Sequence, residues 1–405
     1  MEGIFGSLIP EVQHALKKEG YATPTPVQAK AIPPQIDGRD LFGSAQTGTG
    51  KTAAFTIPLL QELAAEKINP EGRRPRALIL APTRELAAQI GDSITAYGRF
   101  LQVSHTVIFG GVGQGPQEKA MNCGVDIVVA TPGRLLDLMG QGFVQLDAVK
   151  TFILDEADRM LDMGFIPDVE RILAKLPRER RTGFFSATLP TAVEVFAKRL
   201  LVNPARVTIN PEQPTVEKIC QRLLYVDRDH KDDLLVSILR GSEVGRAIVF
   251  TQMKYKANRV CERLERVGIS AAPIHGNKTQ SARTKALDNF RRGKVKVLVA
   301  TDIAARGLDV PHIEHVINYD LPQVAEDFIH RMGRTARAGA EGSAISFVSN
   351  QDGRKWHAIE RLLDPNAKGD AEQSHKKKKG YKNKSRRKTG AEKPRQDRPR
   401  SDKPK

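Results

Sequence analysis

The chain has 405 residues, a length that accommodates two domains with complete cores and a tail. A hydrophobic content of 40% and a charged content of 27% are typical of a soluble globular protein, and no apolar run reaches the roughly 20 residues that a membrane-spanning helix needs. The first ten residues lack a basic segment followed by a long apolar one, so we expect no secretion signal and a cytoplasmic location. The three cysteines are widely spaced and indicate reduced thiols without a metal or disulfide role.

The formal net charge of +17 is concentrated at the carboxyl terminus. From Lys368 to Lys405, 16 Lys and Arg residues stand against 5 Asp and Glu residues. Large apolar side chains are almost missing there, so we predict that residues 366–405 form a disordered basic tail. Such a tail is expected to bind a polyanion; the alternative is that it only keeps the protein in solution.

Near the amino terminus, the sequence indicates a binding site for an aromatic base. Phe5 precedes a turn made rigid by Pro24 and Pro26, and Gln28 follows that turn. An amide fixed in this way can form two hydrogen bonds to an adenine edge, and an aromatic ring can stack on the base. In isolation, a phenylalanine in the core and a glutamine in a loop explain the same residues.

The segment Ala45–Thr52 reads Ala-Gln-Thr-Gly-Thr-Gly-Lys-Thr and lies between a short apolar run and a predicted helix. This order of strand, loop and helix is typical of a phosphate-binding loop, in which Gly48 and Gly50 allow the backbone N–H groups to converge on an anion. Lys51 is expected to meet the β and γ phosphates, and the hydroxyl of Thr52 to hold Mg²⁺. The strict pattern has glycine at position 45, and a plain glycine-rich turn is the alternative.

Short apolar strands alternate with helical patterns in two sets along the chain. This alternation predicts an α/β fold with two parallel sheets, each covered by helices on both faces. The pattern lapses over residues 206–216, where prolines recur as they do in linkers. We therefore predict domains at residues 1–205 and 217–365. Polar clusters follow the strands, and open α/β sheets bind ligands at that edge.

Asp155 and Glu156 end an apolar strand of the first set, about 100 residues after the phosphate loop. This is the Walker B arrangement, in which one carboxylate holds Mg²⁺ and its neighbour activates a water molecule. An acidic surface loop is the alternative. In the second set, Arg331, Arg334 and Arg337 recur every third residue and would face one side of a helix. Their repulsion favours an anionic partner such as a γ-phosphate; the alternative is a basic helix face, exposed or bound to nucleic acid.

Taken together, these motifs resemble, in order and spacing, those of the DEAD-box ATP-dependent RNA helicases, from about Phe5 to about Val348. Alanine at position 45 is usual in that family. The compact core with a basic tail most resembles the bacterial RhlE-like subgroup. The segments that carry the resemblance are Gln28 with its proline turn, Ala45–Thr52, Pro82–Ala87, Gly110–Gly111, Thr131–Arg134, Asp155–Asp158, Ser186–Thr188, Gln280–Arg283, Thr301–Asp309 and His330–Arg337.

The resemblance implies two RecA-like domains, with ATP and Mg²⁺ as cofactors. It implies nucleotide contacts from Phe5, Gln28, Gln46, Thr47, Gly48, Thr49, Gly50, Lys51, Thr52 and Asp309. It implies that Thr52 and Asp155 hold the metal. It implies that Lys51 and Asp155 take part in catalysis and that Glu156 is the general base. Arg334 and Arg337 would be arginine fingers. Coupling between hydrolysis and domain closure is expected from Asp158, Ser186, Thr188 and His330.

RNA is the partner that the resemblance implies, bound largely without sequence preference. The expected RNA contacts are Pro82, Thr83, Arg84, Gly111, Thr131, Gly133 and Arg134 on one domain and Gln280, Arg283 and Thr301 on the other. The implied function is an RNA-stimulated ATPase that locally unwinds short duplexes or remodels ribonucleoproteins. An ATP-gated RNA clamp or scaffold and a DNA helicase are alternatives. Ribosome-assembly or RNA-decay proteins are candidate partners, and the sequence leaves the oligomeric state open.

Two positions depart from the commonest family pattern, Met332 where isoleucine is usual and Ala336 where glycine is usual. We expect the methyl group of Ala336 to exclude a positive φ with little strain, and to have a small effect on turnover through the geometry of the neighbouring arginines.

Overall fold

The computed structural model describes residues 2–46, 48–66, 68–209, 219–241, 244–305, 313–336 and 342–363. These residues form two parallel β-sheets, each with helices on both faces, which confirms the predicted fold class. The predicted tail and most of the predicted linker lie outside the described residues.

The first domain contains a seven-stranded parallel sheet with the order β3-β4-β2-β5-β6-β1-β7. Its strands are β1 Leu41–Ser44, β2 Ala77–Leu80, β3 His105–Ile108, β4 Ile127–Ala130, β5 Thr151–Leu154, β6 Arg181–Ser186 and β7 Ala205–Thr208. Its helices are α1 Pro10–Lys18, α2 Pro26–Ile36, α3 Lys51–Ala65, α4 Arg84–Tyr97, α5 Gly115–Cys123, α6 Pro132–Gly140, α7 Ala157–Asp162, α8 Ile166–Leu173 and α9 Thr191–Leu200.

Both faces of the first sheet are buried, because successive side chains of each strand point to opposite faces. In β2, Ile79 packs with α1 to α4 on one face, and Leu78 packs with α5 to α9 on the other. The strands therefore consist almost entirely of apolar residues. Polar side chains are left for the ends of the strands, where a site can form.

The second domain contains a six-stranded parallel sheet with the order β10-β11-β9-β12-β13-β8. Numbered within each domain, its six strands follow the same order as the first six strands of the first domain. Its strands are β8 Ile219–Tyr225, β9 Ala247–Phe250, β10 Ala271–Ile274, β11 Val297–Ala300, β12 His315–Asn318 and β13 Gly342–Val348. Its helices are α10 Lys231–Arg240, α11 Lys254–Arg266, α12 Gln280–Arg291, α13 Asp302–Ala305, α14 Ala325–Met332 and α15 Gly353–Leu363.

The first domain extends further along the chain than the sequence predicts. Residues 206–208, which we assigned to the linker, belong to β7, which pairs in parallel with β1. Pairing with β1 extends the sheet by one strand, and the proline-rich run begins only after it. Within the described ranges, no helix is both long and apolar enough to cross a lipid bilayer.

One buried ion pair joins three strands of the first sheet at their amino ends. The carboxylate of Asp126, before β4, accepts hydrogen bonds from Arg76 before β2, at 2.9 and 2.6 Å. It also accepts them from the backbone and hydroxyl of Ser104 before β3, at 2.8 and 2.9 Å. The exposed fractions of the Arg76 and Asp126 side chains are only 7% and 1%.

We predict that Asp126→Asn lowers the free energy of unfolding by about 3 to 5 kcal/mol, because it leaves the Arg76 guanidinium buried without its counter-charge. The measurement is urea unfolding followed by circular dichroism. The control is Asp168→Asn, which breaks a pair with Arg171 whose side chains are 33% and 68% exposed. That change should cost at most about 1 kcal/mol. Equal losses for the two variants would contradict a structural role for the buried pair.

Candidate active site and nucleic-acid interface

The loop between β1 and α3 has the backbone shape that a phosphate cradle needs. Gly48 and Gly50 adopt left-handed conformations, with φ of 87° and 94°, and Gly50 caps the amino end of α3. A side chain at Gly50 would also overlap the amide of Gln28. Glycine is required there for both reasons, and the helix amino terminus behind it favours an anion.

A cavity of about 260 Å³ adjoins this loop. It brings together several of the predicted site residues, namely Gly48, Gly50, Lys51, Thr52, Asp155 and Glu156. Its wall also includes Tyr21 and Tyr97, whose hydroxyl groups are 2.8 Å apart. Phosphate-binding groups and an aromatic ring therefore share one cavity, as a nucleotide requires.

Opposite charges are concentrated at the inner end of this cavity. The Lys51 amine is buried and donates a hydrogen bond to the carbonyl of Ala45. Burial raises the pKa of Asp155 to about 7, although the nearby Lys51 acts in the opposite direction. A buried carboxylate that is costly to ionise is stabilised by a cation, and Thr52 offers a hydroxyl at the same cavity. These two residues fit Mg²⁺, which typically takes one or two protein ligands and further oxygens from phosphates.

The structure does not bring Phe5 to the cavity. Its side chain is fully buried in the core, where its ring lies edge-on to Tyr21 with 6.1 Å between centroids. Tyr21, only half-buried, is the aromatic residue that lines the cavity. Our reading of the sequence passed over Tyr21, although it stands within the same segment as the proline turn. Phe5 instead supports Tyr21 from behind.

Gln28 connects the proline turn with the phosphate loop. Its amide oxygen accepts a hydrogen bond from the backbone of Thr25 at 2.9 Å, which completes a capping box at the start of α2. Its amide nitrogen donates to the carbonyl of Gly50 at 3.2 Å. Within the loop, the Thr49 hydroxyl donates to the carbonyl of Gln46 at 2.8 Å. Thr47 lies outside the described residues.

The chain turns sharply after β5, where the two carboxylates follow the strand. Glu156 has a left-handed backbone, with φ of 50°, which is uncommon for a residue with a side chain. Its carboxylate forms a 2.7 Å ion pair with Arg159, and both side chains are buried. Arg159 was missed by the sequence analysis; it holds the predicted general base in place.

Asp158 links this turn to the segment that follows β6. Its carboxylate accepts hydrogen bonds from the backbone and hydroxyl of Thr188, at 2.9 and 2.8 Å. The hydroxyl of Ser186 donates to the carbonyl of Thr188 at 2.7 Å. Burial and the positive charge of Arg159 lower the pKa of His330, while Asp158 opposes that shift. The four predicted coupling residues are thus neighbours, with His330 contributed by the second domain.

A second cavity, of about 370 Å³, lies between the two domains. We call it the interdomain cleft. Its walls include Pro82, Thr83, Arg84, Thr131, Gly133 and Arg134 from the first domain and Gly276 and Arg283 from the second. Gln280 and Thr301 are buried nearby, and the guanidinium of Arg84 packs against Gly111 so closely that a side chain there would overlap it. The residues predicted to contact RNA are therefore brought together.

Backbone groups reinforce the positive character of this cleft. Three helices begin beside it, α4 at Arg84, α6 at Pro132 and α12 at Gln280. The amino end of a helix carries free N–H groups and the positive end of the helix dipole, so it favours phosphate groups. Backbone N–H groups and guanidinium groups suit a sugar-phosphate chain, because they can contact phosphates without recognising a base.

One carboxylate, that of Glu85, connects the domains inside the cleft. Glu85 is 5% exposed. Its carboxylate accepts a hydrogen bond from Gln280 at 3.0 Å and forms an ion pair with Arg283 at 3.0 Å. Burial lowers the pKa of Arg84, and the positive charges of Arg283 and Arg134 lower it further, while Glu85 opposes them. Glu85 thus pairs with Arg283, and Arg134 lies 3.6 Å from its own carboxylate partner, Asp137. Arg84 lies close enough to both arginines to be repelled by them, which favours a further anion beside it.

Comparison with known proteins agrees with this geometry. Residues 25–196 match the family model of the DEAD/DEAH box helicase, and residues 230–339 match that of the helicase conserved C-terminal domain. The ATP-dependent rRNA helicase rrp3 of Sclerotinia sclerotiorum is 46% identical over 347 residues, which cover 85% of this chain and 71% of that protein. The chain belongs to the DEAD-box helicase family.

Other members of the family support the assignment. The DEAD-box ATP-dependent RNA helicase CshA of Bacillus licheniformis is 42% identical over 354 residues, 87% of this chain and 72% of that protein. The structure of S. cerevisiae Dbp5 bound to RNA and ADP BeF3 superimposes with a TM-score of 0.79 at 31% identity, covering 92% of this chain and 97% of that one. The chain is therefore an ATP-dependent RNA helicase, and it binds nucleotide.

Arg331 and Arg334 do not lie on one helix, contrary to our prediction. Helix α14 ends at Met332, so only Arg331 lies within it. Arg331 forms two hydrogen bonds to the carboxylate of Asp302, at 2.6 and 2.7 Å, and its guanidinium lies 4.7 Å from the centre of the Phe250 ring. Arg331 therefore has a counter-charge within its own domain, and it stabilises the fold of this DEAD-box protein.

Arg334 lies two residues after the end of α14. It is 3% exposed, and its Nε donates a hydrogen bond to the carbonyl of His330 at 3.3 Å. Since His330 interacts with Asp158, Arg334 lies on the side of the second domain that faces the acidic turn. Arg337 and Asp309 lie outside the described residues, so their roles stay predictions from the family.

Ala336 adopts the conformation that we expected it to avoid. Its φ is 54°, in the left-handed region that favours glycine. The methyl group is buried in an apolar cluster with Phe328 and Met332, and this burial offsets part of the strain. The backbone beside the arginines therefore has the shape for which this family usually uses glycine.

We predict that Glu85 and Gln280 are energetically coupled. In a double-mutant cycle of Glu85→Ala and Gln280→Ala, RNA affinity in the presence of ADP–BeF₃ should show a coupling free energy of about 0.5 to 3 kcal/mol. The readout is fluorescence anisotropy of a labelled single strand. A cycle of Glu179→Gln with Gln280→Ala serves as the control, because Glu179 is an exposed acidic residue far from the cleft. Additive effects in the first cycle would contradict the link between the domains.

Proposed function

We propose that this DEAD-box protein is an RNA-stimulated ATPase that closes its two domains on one RNA strand. By doing so it locally unwinds short duplexes or remodels ribonucleoproteins. The observation that carries the proposal is the interdomain cleft, which guanidinium groups of both domains line and in which Glu85 of the first domain pairs with Arg283 of the second.

The charges in the cleft explain why RNA favours closure. Without an anion, Arg283 approaches Arg84 against a repulsion between the two guanidinium groups, which Glu85 offsets only in part. A phosphate group between them removes that repulsion, so RNA stabilises the closed form. By linkage, a nucleotide that also prefers the closed form strengthens RNA binding by the same factor as RNA strengthens nucleotide binding.

In the nucleotide cavity, we assign the phosphates to the loop N–H groups and to Lys51, and the metal to Asp155 and Thr52. When bound, Mg²⁺ neutralises phosphate charge and ATP supplies the phosphoryl group. We assign the face of the adenine to stacking on the ring of Tyr21, and its edge to hydrogen bonds with the amide of Gln28. Glu156, held by Arg159, orients the attacking water and accepts its proton. Arg334 and Arg337 stabilise the charge that develops on the transferring group once the domains have closed.

We predict that Glu156→Gln lowers ATP turnover at saturating RNA by at least about 100-fold, because an amide cannot accept the proton. Nucleotide and RNA affinity should be kept, so the variant should hold RNA for longer in the presence of ATP. Turnover is measured by phosphate release and RNA retention by anisotropy. Turnover equal to that of the parent protein would refute the assignment of the general base.

Arg334→Ala should reduce turnover at saturating RNA by about 10³-fold or more, since arginine fingers contribute that much in related phosphoryl transfers. The affinity for ATP should change little, because the phosphates rest on the first domain. The matched control is Arg354→Ala, an exposed arginine of α15, which should leave turnover unchanged. A loss shared by both variants would instead indicate damage to the second domain.

The direct test of the function is ATP turnover with and without single-stranded RNA. Stimulation by RNA but not by the matching DNA strand supports an RNA helicase, whereas equal stimulation favours a DNA helicase. Displacement of a short duplex strand then separates unwinding from the alternative of an ATP-gated clamp or scaffold. RNA-dependent turnover without displacement would favour the clamp.

Several finer assignments belong to the same proposal. We infer a bacterial RhlE-like subgroup and a cytoplasmic location, with domain boundaries near residues 208 and 217. Single-stranded RNA or a short duplex, and ribosome-assembly or RNA-decay proteins, are the proposed partners. The relative from Sclerotinia sclerotiorum is named as an rRNA helicase, which favours ribosomal RNA as a substrate.

For residues 366–405, outside the described part of the chain, we propose sequence-independent anchoring to RNA. Ending the chain at Asn366 should weaken RNA binding and make it less dependent on salt. The slope of log affinity against log salt concentration should become less steep by about 0.7 for each phosphate that the tail neutralises in the full chain. The measurement is RNA affinity at several salt concentrations. An unchanged slope would reduce the tail to an aid to solubility.

A further inference from the structure

The second domain has a charged cavity of about 180 Å³ that the proposed mechanism does not use. It lies where β8 and β12 end, beside the first residues of α10 and α11. Four cationic residues line it, Arg228, Lys231, Lys256 and Arg259, together with the aromatic ring of Tyr255. Three aspartates share its wall, so the cavity is rich in charge of both signs.

Because the two sheets have the same strand order, this cavity is the counterpart of the nucleotide cavity. Lys231 begins α10 after β8, as Lys51 begins α3 after β1. Asp320 follows β12, as Asp155 follows β5, and the amine of Lys231 lies 3.8 Å from its carboxylate. The second domain thus carries a lysine and an aspartate at the corresponding positions.

This cavity is not a second triphosphate site. The segment between β8 and α10 contains no glycine, so the backbone cannot form a cradle of converging N–H groups. The amine of Lys231 donates to the carbonyl of Tyr319 at 2.9 Å and also lies 3.6 Å from Asp352. The protein's own groups satisfy this lysine, so a ligand must use the outer rim of the cavity.

The rim exposes an aromatic ring among cations. Tyr255 is 63% exposed, the side chain of Arg259 is 55% exposed, and Arg228 is exposed as well. Arg259 also lies 3.4 Å from Asp232, so only part of its charge is available to a ligand. An exposed ring flanked by basic side chains is the arrangement on which single-stranded nucleic acids stack their bases.

The rim continues from the interdomain cleft. Lys254 donates a hydrogen bond to Asn277 at 3.0 Å and lies against Gly276, which lines that cleft. The next residue, Tyr255, faces the rim. The first turn of α11 therefore runs from the cleft to the exposed ring within two residues.

We propose that Lys254, Tyr255, Arg228 and Arg259 form a further RNA subsite on the second domain. A base of the strand that leaves the interdomain cleft stacks on Tyr255, and its phosphates lie beside the three cations. The inference rests on the proposed RNA binding in the cleft and extends the bound strand beyond it. It predicts that affinity rises with RNA length past the point at which the cleft is full.

The test is anisotropy of oligouridylates from about 6 to about 20 nucleotides, with ADP–BeF₃ and the full chain. For the shortest RNA that the parent protein binds, Tyr255→Ala should have the same affinity as the parent. For the longest RNA, Tyr255→Ala should bind about five- to 100-fold more weakly than the parent. Tyr255→Phe should keep parental affinity at every length, because stacking needs only the ring. Phe100→Ala, which removes an exposed ring from the first domain, is the control and should have no effect.

The possible results separate the two proposals. If the parent protein fails to bind the shortest RNA, the proposed function fails before the subsite is tested. If the parent binds it and Tyr255→Ala matches the parent at every length, or weakens short and long RNA equally, the subsite is overturned. Extending the RNA at only its 5′ or its 3′ end then shows which end of the strand reaches Tyr255. If the gain in affinity from neither extension is lost in Tyr255→Ala, the subsite is likewise overturned.

Discussion

The structure depends on one electrostatic arrangement, in which Arg283 of the second domain pairs with Glu85 of the first, beside Arg84. Arg84 and Arg134 come from the first domain and Arg283 from the second, so closing the domains brings like charges together. Glu85 pairs with Arg283 and Asp137 with Arg134, while Arg84 is repelled by both of those arginines. The arrangement makes the closed form sensitive to a polyanion, and a sugar-phosphate backbone supplies the missing charge without any need to read bases.

In the proposed mechanism, closure matters for catalysis because the residues assigned to hydrolysis lie on different domains. The phosphate loop, Asp155 and Glu156 are built on the first sheet, whereas Arg334 and His330 come from the second domain. The hydrogen bonds between Asp158 and Thr188 join the acidic turn to the end of β6, and His330 interacts with the same turn. Hydrolysis of the nucleotide can therefore alter the contact between the domains, and that contact in turn affects the affinity for RNA.

Sequence reasoning predicted what depends on local pattern. The parallel sheets followed from short apolar strands alternating with helices, and the phosphate loop from two glycines before Lys51 and Thr52. It failed where tertiary packing decides. Phe5 and Tyr21 are both aromatic and near the same turn, and only the packed core shows which ring reaches the cavity.

The same limit applies to charged groups whose partners lie far along the chain. Arg331 is held by Asp302, 29 residues away, so its spacing from Arg334 carried no information about its role. Glu85 is paired with residues of the other domain, 195 positions away in the case of Gln280. The positive φ of Ala336 is set by its surroundings and opposes the preference of the residue itself.

The central claim is that nucleotide and RNA together close the domains, and energy transfer between two dyes tests it most directly. Cys123 in the first domain and Cys220 in the second are exposed and available for labelling. Cys261 is buried, and burial raises its pKa to about 12, so it reacts poorly. If both ligands are needed for closure, one high-transfer population should form only when ADP–BeF₃ and single-stranded RNA are both present. Transfer that is the same with neither, either or both ligands would contradict the central claim.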